Sequence, residues 1–362
     1  MGIHSVRTFF SAHRLRHTGA QKYAAILAAP SSTATKITRA LMVKAMAAAL
    51  VLTSAGIASA DTYPSRPIRL VSGFAVGGVT DGIARILANA LQVKYGQSVI
   101  VENKPGASGL ISTTEVSRAA PDGYTLLVGG FGAQLIPPLV MAKYPIDVTK
   151  ELTPLFGVAD FMNVVTVNSK LPIDSLKGLV DYAKANPGKL TFGSAGVGAS
   201  NYLSAVLFMQ QTGIDMVHVP SKGGFGPTTD LLSGSIDVVF ENIPIMMGQA
   251  RSPAMRMLAV TGKTRSDLFP ELPTAIEAGF PNYSVASWIS VFGPPGMPEP
   301  LVKRISDMIA EALSAPEEQE RMKKIGFQPM GLRHDAFAKF FLEERAQWKE
   351  VVDKAGIKLS PP

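Results

Sequence analysis

The run Phe74-Ala75-Val76-Gly77-Gly78-Val79-Thr80-Asp81 combines residue types that can hold an anion. An apolar segment at 68–71 precedes it and predicts a short buried strand, and apolar residues at helical spacing from 83 to 91 predict a helix after it. Two adjacent glycines let the backbone approach a ligand closely, and a helix start offers unpaired N–H groups with a partial positive charge. We interpret this junction as an anion site, with a carboxylate as the expected ligand.

Two further glycine turns occupy the same kind of position between a strand and a helix. They cover 103–109 and 196–201. One such turn is a weak indication, because it often forms only a tight loop. Three are more informative, because ligands of open α/β sheets bind beyond the carboxyl ends of the strands, where such turns gather. We expect two of the turns to face each other across a cleft.

The sequence offers no convincing catalytic set after residue 60. A serine nucleophile elbow needs glycine two positions before and two after the serine, and Ser108, Ser194 and Ser200 each lack one of the two. His218 and His334 are the only histidines after residue 60, and we expect a structural role for His218 in a strand. Because no phosphate-loop lysine motif and no histidine pair at helical spacing is present, we predict no catalytic residue, cofactor or metal.

Two acidic residues near the turns have alternative roles. Asp81, at a helix start, is first a cap or a partner of the helix dipole and second a ligand contact. Asp230 is expected in a loop or at a helix start, where it either caps the backbone or meets a ligand amine. The sequence leaves both alternatives open for Asp230.

The positive net charge does not indicate a nucleic-acid partner. The 362 residues include 35 Lys and Arg against 28 Asp and Glu, a formal charge of +7. Seven of the basic residues precede Asp61, the first acidic residue, so the remaining 28 balance the 28 acidic ones. A nucleic-acid-binding protein keeps its basic excess in its folded part, so this class is set aside.

Residues 1–60 are predicted to be a leader that contains a secretory signal. Lys44 precedes the apolar stretch 45–57, and Ala58-Ser59-Ala60 provides small residues for cleavage near Ala60. Met42 or Met46 would start a signal peptide of ordinary length, and we expect the true start there. The apolar stretch is shorter than the roughly 20 residues of a transmembrane helix. Because the chain has no cysteine, an exported protein must be stabilised by its core rather than by disulfides.

Strand-like and helix-like segments alternate after Asp61, which predicts an α/β fold with parallel sheets and helices on both faces. A chain of roughly 300 residues usually divides into two domains. We expect a second sheet to begin after Asn163. The final helix presents an apolar face with several aromatic residues, which we interpret as core.

The motifs together resemble the Bug-type receptors, the periplasmic solute-binding proteins of the tripartite tricarboxylate transporters. The resemblance extends over 63–357, and it lies in the order and spacing of several weak motifs. These are Phe74 to Asp81, Glu102 to Gly109, Ala120 to Leu127, Asp230 to Gly234, Leu258 to Thr261, Leu272 to Thr274, and Trp288.

The resemblance implies a type II periplasmic-binding-protein fold, with two doubly wound α/β domains joined by a two-crossing hinge. Domain 1 is expected to comprise 61–164 and 285–362, and domain 2 to comprise 165–284. The implied function is that of a monomeric periplasmic receptor, not an enzyme. It would capture a small organic carboxylate by domain closure and deliver it to the membrane permease subunits of the transporter.

The resemblance also implies which parts of the chain line the pocket. They are the first glycine turn, the loop after the strand that starts at Thr125, and the turn that starts at Gly196. Asp230 is added to these segments. The expected ligand-binding residues are Phe74, Val76, Gly77, Gly78, Thr80, Asp81, Gly130, Phe131, Gly196, Gly198, Ala199, Ser200, Asn201 and Asp230.

Several pocket positions depart from the family pattern. The family usually has Pro after the Phe of the first turn, Ser at Ala199, His at Tyr202 and Tyr at Ser221. At 129–134, where polar Thr and Asn are common in the family, this chain has Gly129, Gly130 and Phe131. The loss of hydroxyl and amide groups predicts a ligand with a larger apolar or aromatic part beside its carboxylate.

Two alternative functions remain compatible with such a cleft. One is an exported lyase or transferase that acts on a carboxylate. The other is a sensory protein that binds the same ligand and reports to a membrane histidine kinase. Turnover of a bound acid would favour the enzyme, and the identity of a captured membrane partner would separate the sensor from the transport receptor.

Overall fold

The computed structural model describes residues 63–141, 144–221 and 224–357. The predicted leader and its cleavage site lie outside these residues. Among the helices within them, none combines the length and the apolar composition that crossing a membrane requires.

Ten strands of the described residues form one mixed sheet. Eight follow the order β2-β1-β3-β9-β4-β7-β5-β6, and β8 and β10 pair with β4 outside this path. The strands are β1 Ile68–Ser72, β2 Val99–Asn103, β3 Thr125–Gly130, β4 Thr153–Asn168, β5 Thr191–Ser194, β6 Val217–Pro220, β7 Val238–Asn242, β8 Met255–Val260, β9 Ala286–Gly293 and β10 Gln328–Arg333.

The pairing directions refine the predicted parallel arrangement. β1 pairs parallel with β2 and β3, and β5 pairs parallel with β6 and β7. All pairs that involve β4 or β9 are antiparallel. The α/β fold class is confirmed, but the prediction of purely parallel sheets is wrong at the centre. β4 and β9 are joined to their neighbours by connections other than the βαβ units that the alternating pattern predicts.

Helices connect the strands along the whole described chain. They are α1 Val79–Tyr95, α2 Leu110–Ser117, α3 Pro137–Val140, α4 Val148–Glu151, α5 Leu176–Ala185, α6 Ser200–Thr212, α7 Gly226–Ser233, α8 Ile243–Met246, α9 Glu299–Leu313, α10 Pro316–Lys324 and α11 His334–Ala355. Local sequence sets several of these bounds. Ser175 caps α5 by accepting a hydrogen bond from the Gly178 N–H at 3.1 Å, and Gly96 ends α1 in the left-handed conformation at φ 69°.

The 16-residue strand β4 joins the two ends of the sheet. Its part from 153 to 162 pairs with β9, in register from Thr153 opposite Gly293 to Met162 opposite Ala286. Its part from 163 to 168 pairs with β7 and β8. The second sheet region therefore begins at Asn163, where the sequence placed it, but on the same strand as the first.

The final helix packs on β9 through aromatic side chains, and the prediction that its aromatic residues belong to the core is confirmed for Phe337 and Phe341. Phe337 and Phe341 of α11 are buried, and both lie edge-on to Trp288, at centroid distances of 5.8 and 5.9 Å. Phe292 lies 5.4 Å from Phe337 in the same way. These contacts fix β9 against α11 and place Trp288 where the sheet regions meet.

Candidate functional site

A small cavity of about 60 Å³ lies where the segments before α1, after β3 and before α6 come together. Residues of β4, β7 and β9 complete its wall, including Phe161, Glu241 and Trp288. Two of the three predicted glycine turns, 74–81 and 196–201, thus contribute residues to one cavity. The expectation that two turns face each other matches this arrangement.

Two helices begin at the cavity without a side-chain cap. Gly78 precedes α1 and Ala199 precedes α6, and neither of these N-cap residues makes a side-chain cap hydrogen bond. In the first turn of α6, the Tyr202 N–H donates to Asn201 Oδ1 at 3.0 Å. The first N–H groups of a helix lack intrahelical partners and carry about half a positive charge. Since Gly78, Ala199 and the first residues of both helices line the cavity, it receives positive potential from two helices. Its described lining contains no basic side chain.

The predicted site residues divide into two groups. The lining of the cavity includes Phe74, Gly78, Thr80, Gly130, Phe131, Ala199, Ser200 and Asn201. The residues that lie outside this lining are Val76, Gly77, Asp81, Gly196, Gly198 and Asp230.

The two acidic residues of the second group bond to other protein groups. Asp81 is buried, and its Oδ2 accepts hydrogen bonds from the Gly77 N–H at 3.0 Å and from Arg85 Nε at 2.9 Å. Burial raises the pKa of Asp81, but the hydrogen bonds to this carboxylate together lower the pKa by more than burial raises it. The pKa of Asp81 is therefore below its usual value. Asp230 accepts a hydrogen bond from Ser221 Oγ at 2.7 Å. The first of the two roles weighed for Asp81, stabilisation of the helix start, agrees with these contacts.

The other residues of the second group shape the turns around the cavity. Val76 is 66% exposed. Gly196 lines an adjoining groove together with 105–109. A Cβ on Gly198 would lie 3.1 Å from Ser108 Oγ, so the two turns are in close contact there.

The two sides of the cavity touch each other at its rim. Ser108 Oγ donates a hydrogen bond to the Val197 carbonyl oxygen. A Cβ on Gly77 would lie 3.2 Å from the Phe225 ring, and one on Gly224 would lie 3.2 Å from the carbonyl oxygen of Val76. These contacts hold the two sides of the cavity close together at its rim.

Phe131 belongs to the core as well as to the cavity wall. It is 1% exposed, and its ring lies edge-on to Trp348 with the centroids 4.9 Å apart. Trp288, also in the wall, donates from Nε1 to Glu344 Oε2 at 3.1 Å. The two tryptophans of the chain therefore both lie at or next to the cavity.

Ser194 and His218 form a hydrogen-bonded pair next to this site. Ser194 Oγ lies 2.7 Å from His218 Nε2 and accepts from the Gly196 N–H at 3.1 Å. The imidazole packs against Phe192 and Tyr202, with centroids 4.9 and 4.7 Å away, and burial lowers the pKa of His218. Ser194 is fully buried and lies outside the cavity lining. The pair thus orders the turn after β5, in agreement with the structural role expected for His218.

Glu241 is a site residue that the sequence reasoning missed. It lines the cavity and is 1% exposed. Its Oε1 accepts from the Asn242 N–H at 2.9 Å and from the side-chain amides of Asn201 and Asn242, both at 3.3 Å. Its Oε2 is buried and has no hydrogen-bond partner among the described residues. Ser287 Oγ, in the same wall, is likewise buried without a partner.

Only a short sequence pattern at the end of β7 could have indicated Glu241. Glu241 and Asn242 are polar residues at the carboxyl end of a buried apolar strand, and Pro244 follows them. Polar groups at this end of a strand are typical of binding sites in α/β proteins. Burial raises the pKa of Glu241 from its ordinary 4.5 to about 7, because it penalises the anion more than the hydrogen bonds with Asn242, Asn201 and Thr228 favour it.

A larger cavity of about 550 Å³ shares Phe161, Ser287 and Trp288 with the first. Its wall includes the charged residues Lys263 and Glu344. None of the helices of eight or more described residues begins at it. It therefore lacks the feature that gives the smaller cavity its positive potential.

The fold and the cavity define a class, the solute-binding proteins with a type II periplasmic-binding-protein fold. Residues 83–357 match the model of the tripartite tricarboxylate transporter family receptor. The chain belongs to this family.

The chain is similar to relatives along nearly their whole length. It is 36% identical to protein BugT of Bordetella pertussis over 314 residues, which are 86% of this chain and 96% of BugT. The solved structure of R. palustris Rpa4515 with adipate has a TM-score of 0.78 and 33% identity, covering 82% of this chain and 99% of that one. The solved structure of MatC from Rhodopseudomonas palustris with bound malate has a TM-score of 0.75 and 28% identity, and the match covers 80% of this chain and 100% of the MatC chain.

The raised pKa of Glu241 predicts a pH-dependent stability difference for Glu241→Gln. The folded protein holds the proton more tightly than the unfolded chain, so the wild-type free energy of unfolding falls as pH rises from 4.5 to about 7. The fall attributable to Glu241 is about 3 kcal/mol, at about 1.4 kcal/mol per pKa unit. Glu241→Gln should therefore gain stability relative to wild type between pH 5 and pH 8.

Urea denaturation at both pH values measures this difference, with Glu317→Gln, a change at an exposed residue, as the matched control. A constant difference between Glu241→Gln and wild type over this range would contradict the shifted pKa.

Proposed function

We propose that this chain is a non-enzymatic periplasmic receptor that captures a small organic carboxylate and delivers it to a membrane transporter. The observation that carries the proposal is the meeting of two helix N-termini, neither with an N-cap side chain, at one cavity without a basic side chain in its described lining. Such N-termini are a common way to bind an anion.

Backbone groups can supply enough binding energy for this role. Hydrogen bonds to a charged group contribute about 1.5 to 3 kcal/mol each. Four or five such bonds, less the cost of ordering the ligand and the turns, are compatible with a micromolar dissociation constant at about −8 kcal/mol. An arginine or lysine in the cavity is therefore not required.

The relatives support a carboxylate as the ligand. Rpa4515 is bound to adipate and MatC to malate, and both are small dicarboxylates. We extend this ligand class to the present chain, and we assign the contacts to the eight predicted residues that line the cavity. Asp81 and Gly77 act indirectly in this proposal, because their mutual hydrogen bond holds the turn before α1.

Domain closure fits the way the sheet is built. Residues 61–164 and 285–362 form one domain in this proposal, and 165–284 form the other. β4 crosses between them at Asn163 and Val164, and the chain returns at Val285, whose N–H donates to the Thr261 carbonyl oxygen at 2.8 Å. The rim contacts between the glycine turns and the loop at 224–225 then belong to the closed state, in which ligand contacts form.

The remaining parts of the proposal concern location and partners. We propose that the predicted secretory leader directs the protein to the periplasm. We also propose that the protein delivers its ligand to the permease subunits of a transporter, and its membership of the tripartite tricarboxylate transporter family receptors supports this. We propose that it acts as a monomer. The Ser194–His218 pair does not favour the enzyme alternative, because both groups lie outside the lining of the cavity.

A thermal-shift screen tests the ligand class. The acids are acetate, succinate, malate, adipate, citrate and benzoate, and the ligand that binds raises the melting temperature by mass action. At a hundredfold excess over the dissociation constant the stabilisation is about 2.7 kcal/mol. A Trp348→Phe variant, which leaves Trp288 as the only tryptophan, should report the same acid by fluorescence. No response to any acid at millimolar concentration would contradict the proposal.

A single methyl group tests the role of the α6 N-terminus. A Cβ on Gly132 would lie 3.4 Å from the Ser200 backbone nitrogen and 3.6 Å from the Phe74 ring, both ordinary contacts. Gly132→Ala should therefore fold normally but cover the Ser200 N–H. We expect about 10- to 100-fold weaker binding of the acid found in the screen, which corresponds to one lost charged hydrogen bond.

Gly82→Ala is the matched control, because a Cβ there meets nothing within 4 Å. The affinities of both variants and of the wild type are measured by isothermal titration calorimetry, and Gly82→Ala should keep the wild-type affinity. Equal affinity of Gly132→Ala and wild type would show that the ligand does not use the N-terminus of α6.

A further inference from the structure

Glu241 is the only ionisable residue in the described lining of the cavity. Within the described residues, Oε1 accepts three hydrogen bonds, from Asn201 and Asn242. The side chain of Thr228 is a further polar neighbour that favours the anion. Oε2 is buried and has no partner among the described residues. One carboxyl oxygen of this cavity residue thus retains the capacity for a further hydrogen bond.

An anionic ligand in the same cavity makes an ionised Glu241 unfavourable. Two carboxylates that share a site in a low-dielectric environment raise the pKa of one of them strongly. If one of them holds a proton, the repulsion becomes a charge-assisted hydrogen bond between an O–H group and a carboxylate oxygen. Oε2, which has no partner among the residues that the structure describes, is the atom of Glu241 that can carry this proton.

The elements around Glu241 offer no described cation to neutralise it. β4, β5, α6, α7 and α8 pack against β7. Their ionisable residues are Asp160 on β4, Tyr202 on α6 and Asp230 on α7, whereas β5 and α8 have none. Asp81 at the start of α1 is paired with Arg85. The described side chains of these elements therefore supply no cation to Glu241, and burial favours its neutral form although the two helix N-termini give the cavity a positive potential.

We propose that Glu241 binds the ligand as a neutral acid, donating Oε2–H to an oxygen atom of the bound carboxylate, so that binding takes up a proton from solution. The inference rests on the proposed carboxylate ligand and narrows its class. The ligand group at this wall is an acceptor oxygen, so an amine or ammonium at the same position is disfavoured.

The expected pH dependence follows from the free and bound states of Glu241. Burial gives free Glu241 a pKa of about 7, and the bound anion raises it further. Binding above pH 7 then requires proton uptake, and the dissociation constant should rise about tenfold per pH unit from pH 7.5 to pH 8.5. At pH 5.5 free Glu241 is already protonated, so uptake should approach zero.

Isothermal titration calorimetry measures the proton uptake directly. The probe is the acid that raises the melting temperature most in the screen, titrated at pH 8 in phosphate and in Tris, whose ionisation enthalpies differ. The wild-type protein should take up close to one proton at pH 8 and close to none at pH 5.5. Infrared difference spectra of the wild type at pH 8 should show a carboxylic-acid band appearing on binding.

Two variants assign the proton to Glu241. Glu241→Gln keeps a neutral donor, so it should bind the acid at pH 8 without proton uptake. Glu344→Gln is the matched control, because burial also raises the pKa of Glu344 but this residue lies in the larger cavity. It should keep the wild-type uptake. The wild-type calorimetry and infrared spectra carry the test if Glu241→Gln does not fold.

The outcomes separate this inference from the proposed function. Tight binding of an acid at pH 8 with no proton uptake, or with proton release, would overturn the role of Glu241 and leave the receptor function intact. Preference for an amino acid over the matching acid without the amine would also overturn it. No binding of any acid would overturn both proposals.

Discussion

The antiparallel pairing of β4 with strands on both of its sides is the constraint on which the site depends. Because one continuous strand runs through both sheet regions, their relative register is fixed at a few residue pairs. Phe161 lies opposite Ser287 of β9, and Val164 lies opposite Glu241 of β7. Glu241 and Ser287, which are about 45 positions apart in the sequence, therefore reach the same cavity wall. The helices α1 and α6 follow strands of the two regions, and the same pairing directs both N-termini at this wall.

The electrostatics of the cavity come from the backbone rather than from basic side chains. Two helix N-termini provide the positive potential, and Asp81, held by Gly77 and Arg85, stabilises the turn without entering the cavity. The opposing feature is Glu241, which is buried and has one oxygen without a hydrogen-bond partner in the described part of the chain. In our account the two features are complementary, because the helices hold the ligand anion and Glu241 contributes an O–H group. A site built this way discriminates by the arrangement of acceptor oxygens and needs no net charge on the protein.

The sequence predicted the local parts of the site and missed the long-range ones. The strand, glycine turn and helix from 68 to 95 were predictable because their signals lie within one window of hydrophobic periodicity. The length of β4 was not, because pairing with strands far away in the sequence and register shifts between Pro154 and Ala159 decide it. Glu241 was missed for a similar reason. Its burial and its bond to Asn201, 40 positions away, arise only when β7 and α6 pack together.

The central claim is that the ligand anion lies at the meeting point of two helix N-termini. A crystal structure of the protein with the acid that binds most tightly tests it most directly. Our account predicts carboxylate oxygens within hydrogen-bond distance of backbone N–H groups at the starts of α1 and α6, with a ligand oxygen next to Glu241 Oε2. A ligand seated in the larger cavity beside Lys263 and Glu344, with the two helix N-termini unoccupied, would contradict it.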